Sequence, residues 1–83
     1  MRAKDIKQGG IYRLKDQPNY GYIKVICVLK PKERLFFKDL DGFYRFEKNN
    51  YNKVVVKAML STSKDFEFGF IRSFLPREII KDS

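Results

Sequence analysis

The sequence predicts a single, mostly β domain, a small and partly open barrel of five to six strands with a short helical turn near its C-terminus. Three observations carry this reading. Short apolar and aromatic runs separated by turn residues recur along the whole chain at the spacing of strands. Almost no segment shows the 3.6-residue period of an amphipathic helix. The composition, 43% apolar and 16% aromatic with eight Phe and five Tyr, supplies large side chains for a small interior. At 83 residues the chain makes one folding unit, residues 1–83. A chain this short buries only about 60–65% of its unfolded surface, so its core must be dense. The candidates for disorder are the ends, residues 1–9 and 81–83.

The elements follow in order. Gly9 and Gly10 precede a first strand over Ile11–Leu14, and the stretch from Asp16 to Gly21 is a loop on the strength of its Pro, Asn and Gly. Tyr22–Lys30 is the strongest strand, rich in β-branched residues, with Ile23, Val25, Cys27 and Leu29 expected on one face. Pro31 ends it. Arg34–Leu40 and Phe43–Glu47 flank Asp41-Gly42, a dipeptide suited to the positive φ angles of a two-residue hairpin turn. After a polar loop, Lys53–Leu60 is a further strand, with Val54, Val56, Ala58 and Leu60 pointing one way. Phe66–Phe74 is the last, and Gly69 marks a candidate bulge in it. Leu75–Ile80 is expected to form one helical turn with Pro76 at its first position. Core packing is the expected role of the Phe66, Phe68 and Phe70 series, with an exposed docking patch as the alternative.

The order of these elements resembles that of the SH3-like barrels, a group that includes KOW and chromo-like modules. The resemblance is one of architecture over most of the chain and carries no family-specific motif. Fold of this kind does not by itself imply a function.

Residue types narrow the chemistry. The chain has no His, which removes the commonest general base and the usual partner in Ser and Cys triads. One Cys without His is too little for the usual zinc sites, and no glycine-rich phosphate loop is present. The expectation is a protein that is not an enzyme and needs no metal or other cofactor. Cys27 sits in an apolar run, where burial makes a thiol inert, and a lone buried cysteine fits a reducing, cytoplasmic setting. Residues 1–10 lack the apolar stretch of a secretory signal, and no run approaches the roughly 18 apolar residues that span a bilayer, so no membrane partner is expected. A monomer or a homodimer is compatible with the sequence.

Charge points to a partner. Eighteen Lys and Arg against ten Asp and Glu give +8, with ten basic and three acidic side chains in residues 1–38 and eight against seven in residues 39–83. A basic N-terminal half is a footprint for nucleic acid. With Asp41 and Gly42 as the turn, Lys38 faces Arg45 and Phe37 faces Phe46. One face of the hairpin then holds Leu35, Phe37, Tyr44 and Phe46 as core, and the other holds Phe36, Lys38, Leu40, Phe43, Arg45 and Glu47. Two like charges opposite each other among aromatics would be relieved by an anion laid across them. Aromatics interleaved with Lys and Arg are how sequence-tolerant nucleic-acid binders combine stacking with phosphate contact.

The candidate nucleic-acid-binding residues are therefore Phe36, Lys38, Phe43 and Arg45. Lys24 on the neighbouring strand extends the patch, and Arg13, Lys15, Lys32 and Arg34 are further phosphate contacts. Lys30, in the same basic half, is another candidate phosphate contact. The stretch Leu35–Tyr44 is faintly similar to the DNA-binding hairpin of the small crenarchaeal chromatin barrels, and no residue role is carried over from that similarity. The competing reading has Phe36 and Phe43 packed under the terminal segment with Lys38 and Arg45 snorkelling outward. A protein-interaction or assembly subunit using the Phe-rich last strand is the alternative function.

Overall fold

A computed structural model describes residues 1–16 and 21–82; the loop expected between Asp16 and Gly21 lies largely outside them. The described chain is mostly β, with seven strands in two antiparallel sheets and only 3-10 turns besides. The strands are β1 (Ile11–Leu14), β2 (Tyr22–Leu29), β3 (Arg34–Lys38), β4 (Tyr44–Lys48), β5 (Val55–Ser61), β6 (Phe70–Phe74) and β7 (Ile79–Lys81). Five of them form one sheet in the order β6-β5-β2-β1-β7, and β3 and β4 form a separate two-stranded ribbon. The ribbon is thus the connection between β2 and β5, which pair with each other directly. No helix among the described residues is long and apolar enough to cross a membrane.

The main core lies on one face of the larger sheet. It is built from Ile6, Leu14, Ile23, Val25, Val56, Ala58, Phe74 and Ile79, with Met1, Tyr12, Val28 and Leu60 packed at its margin. Residues 3–5 make a 3-10 turn that delivers Ile6 into this core, and the Gly9 N–H donates to the Val25 carbonyl at 2.8 Å. The helical turn expected after Leu75 is a 3-10 turn over Pro76–Glu78, with proline in the first turn where its missing N–H costs nothing. It returns the chain to pair Ile79 with Leu14 as β7.

One irregularity in β2 decides how the ribbon is attached. Tyr22 to Val25 pair with Ser61 to Ala58, but Cys27 to Leu29 pair with Lys57 to Val55, leaving Ile26 as an extra residue. Such a bulge turns the strand over. Ile23 and Val25 face the main core, whereas Cys27, Leu29 and Val55 are directed to the opposite side of the sheet and are buried there. The expectation of one shared face for Ile23, Val25, Cys27 and Leu29 is corrected accordingly. All four are buried, but on two sides, and the second side is the one the ribbon covers.

Cys27 records that cover electrostatically. Burial, followed by the nearby Glu47 carboxylate of β4, pushes its thiol up to about 11 from an ordinary 9.0. The folded state therefore keeps a proton that the unfolded chain releases above pH 9. Stability from this group is intact below pH 9 and declines as the pH climbs from about 9 to about 11, by roughly 3 kcal/mol in all. Thermal melts of the wild type and Cys27→Ala at pH 8.5 and 10.5 check this, since the wild type is expected to lose more than the variant. At pH 8 the thiol is expected to resist alkylation until denaturant unfolds the chain.

Candidate functional site

The ribbon is held by its loop rather than by a two-residue turn. Asp39 Oδ1 accepts from the N–H groups of Asp41 and Phe43 at 3.0 and 2.9 Å, the Asp39 N–H donates to the Phe43 carbonyl, and Gly42 takes a φ of +87°. This side-chain-closed turn makes residues 39–43 the loop. It sets Lys38 opposite Tyr44, Phe37 opposite Arg45, Phe36 opposite Phe46 and Arg34 opposite Lys48.

The ladder is one residue out of step with the expectation, and its effect is confined to β4. On β3, Leu35 and Phe37 point inward and Arg34, Phe36 and Lys38 outward, as expected. On β4 the set is turned over: Arg45 and Glu47 point inward and Tyr44, Phe46 and Lys48 outward. Tyr44 and Phe46, expected in the core, are on the surface. Arg45, expected on the surface, is half-buried and ion-paired with Asp39 at 3.6 Å.

The outer face of the ribbon consequently consists of three cross-strand rows. Arg34 and Lys48 form one end, Phe36 and Phe46 the middle, and Lys38 and Tyr44 the other end. Phe36 is 78% exposed, Tyr44 81% and Phe46 47%. The Phe36 and Phe46 rings lie 4.8 Å apart at 43°, and the Lys38 ammonium sits 5.8 Å from the centre of the Tyr44 ring. No carboxylate belongs to the face, and among the described residues none forms an ion pair with Arg34, Lys38 or Lys48. The like-charge juxtaposition expected between Lys38 and Arg45 is found instead between Arg34 and Lys48.

The other candidates are distributed elsewhere. Phe43 is exposed in the loop, outside the paired rows of the outer face. Lys24 lines a cleft of about 300 Å³ beneath the ribbon tip, with Asp39, Leu40, Asp41 and Arg45. Leu40 lies there against Gly9, a position with a φ of +78° where a side chain would meet it. Arg13 is stacked on the Tyr22 ring at 4.7 Å and paired with Asp82 at 3.7 Å. Lys15 follows β1 and is exposed, its N–H donating to the Glu78 carbonyl at 2.7 Å. The Lys32 ammonium donates to the Asn50 carbonyl, bracing the turn before β3. Of the predicted set, Phe36, Lys38 and Arg34 are brought together on one face. Tyr44, Phe46 and Lys48 complete it, and the signal that would have found them is the Asp two residues ahead of Asp41-Gly42.

A second apolar surface lies on the sheet edge. Phe68 is 82% and Phe70 69% exposed, so these residues do not fill the core; Phe74 does. With Leu14, Leu60 and Arg72 they line an open groove of about 730 Å³ beside β6. No family model, curated protein or solved structure matches the chain.

Proposed function

We propose that the protein is a non-enzymatic nucleic-acid-binding module of the SH3-like kind and that the outer face of the β3–β4 ribbon is its binding surface. The observation that carries this reading is the make-up of that face: three exposed aromatic rings and three cations, with no acid among them. Leu35 and Phe37 already supply the ribbon's inward apolar side, so folding alone does not call for Phe36, Phe46 and Tyr44 outside. Exposed apolar surface of this kind marks an interaction site, and its charge selects an anionic partner.

The test is fluorescence anisotropy with labelled DNA and RNA at about 50 and 200 mM salt. Three phosphate contacts imply a log–log salt slope of about −2 to −3, so affinity is expected to fall more than tenfold across that range. Absence of binding at the lower salt sinks the proposal. A second reading, docking of a protein along β6, is favoured by the exposed Phe68 and Phe70. Binding there would persist as salt rises.

A further inference from the structure

We infer that the ribbon takes single-stranded rather than duplex nucleic acid, over a footprint of two to three nucleotides. This rests on the nucleic-acid reading above and specifies its ligand. Stacking needs the flat faces of bases, and a duplex keeps those faces inside its own stack, offering only edges and phosphates to a protein. A two-stranded ribbon does fit a major groove, but groove readers present donors and acceptors toward base edges. The central row here is Phe36 and Phe46, which have neither. Their rings, 4.8 Å apart and tilted by 43°, form a broad platform and not a single wedge that enters one base step. Tyr44, more exposed than either, provides a second stacking surface one row along.

Row spacing sets the footprint. Successive rows on a strand face are two residues apart, about 6.6 Å, so the face is about 13 Å long from Arg34 and Lys48 to Lys38 and Tyr44. That length matches an extended strand with one base over Phe36 and Phe46 and a second over Tyr44. Its phosphates are flanked by Arg34 and Lys48 at one end and by Lys38 at the other. Charge complementarity runs the length of the face, because every polar group on it apart from the tyrosine hydroxyl is cationic.

The experiment compares labelled dT10 and rU10 with a ten-base-pair duplex at about 100 mM salt, for the wild type, Phe36→Ala/Phe46→Ala and Tyr44→Ala. All three side chains are on the surface, and thermal melts verify that the variants stay folded. The expected result is at least tenfold tighter binding of the single strands than of the duplex. Each aromatic variant is expected to lose about tenfold on dT10 and rU10. Affinity is expected to level off between dT2 and dT4 once corrected for the number of overlapping sites. Duplex binding as tight as single-strand binding overturns the inference while leaving the nucleic-acid reading in place. Single-strand binding that ignores the aromatic substitutions also overturns it, since phosphate contact alone would then suffice. If neither single strand nor duplex binds, the nucleic-acid reading fails and the inference fails with it.

Discussion

Reversing the three cations of the outer face, Arg34→Glu/Lys38→Glu/Lys48→Glu, is expected to weaken nucleic-acid binding at least a hundredfold at about 100 mM salt, a loss of about 3 kcal/mol. The variant removes three phosphate contacts and puts three carboxylates where phosphates would lie. It also lowers the net charge from +8 to +2, so a general loss of attraction has to be separated from a local one. A matched control, Lys4→Glu/Lys7→Glu/Arg77→Glu, makes the same charge change at exposed positions away from the ribbon. With screening over about 10 Å at this ionic strength, the control is expected to lose less than tenfold. Neither variant is expected to move the melting temperature much, because exposed substitutions of this kind stay within about 0.5 kcal/mol. Equal losses from both would mean that the protein attracts polyanions by net charge and that the ribbon has no special part.

The contrast between these two variants depends on the register of one ladder, and that register shows where sequence reading stops. The alternation in Arg34–Lys38 places β3, because its inward residues are apolar and two of its three outward ones are charged. In β4 the sequence Tyr44-Arg45-Phe46-Glu47 alternates aromatic with charged, and hydrophobicity alone sends the aromatics inward. The loop overrides it: the Asp39 carboxylate captures two N–H groups beyond itself and shifts the pairing by one, exposing both rings. Two side-chain hydrogen bonds worth about 1 kcal/mol each thus compete with a pattern that reads as stronger.

Long-range effects hid the rest. Ile6 is a lone apolar residue in a charged stretch, and Ile79 to Lys81 become a strand only because Leu14 and Arg13 are there to pair with them. The unbroken apolar run from Val25 to Leu29 did carry the signature of a strand buried on both sides, which the bulge at Ile26 makes physical. Phe66 to Phe70 alternate like a core strand, yet Phe66 adopts a φ of +53° and the strand begins only at Phe70, on the sheet edge, where the Phe70 ring stays exposed.

Asn49 is the residue whose loss is expected to cost the most for its size. It is 4% exposed, and its amide nitrogen donates to the carbonyls of Lys30 at 3.0 Å and Lys53 at 2.7 Å. Its oxygen accepts from the Tyr51 N–H at 2.9 Å, and its own N–H donates to the Glu33 carbonyl at 2.8 Å. One side chain therefore joins the turn before β3 to the loop after β4, the two strands of chain by which the ribbon hangs from the sheet. Asn49→Ala removes all three side-chain hydrogen bonds, leaving the Lys53 carbonyl and the Tyr51 N–H without partners and the Lys30 carbonyl with the Glu33 N–H alone, at about 1 kcal/mol per bond, for a total of about 3 kcal/mol. In a domain of this size that lowers the melting temperature by about 12–20 °C. Asn49→Asp is expected to be no better at pH 7, because it keeps the acceptor for Tyr51 but turns a carboxylate toward two carbonyls that need a donor. Thermal melts followed by circular dichroism measure both. Well below its melting temperature the alanine variant is expected to bind nucleic acid as the wild type does, since Arg34 to Lys38 and Tyr44 to Lys48 hold their ladder without Asn49. A variant that melts normally would show that water replaces the clamp and that the ribbon is anchored by the packing around Cys27 and Leu29 instead.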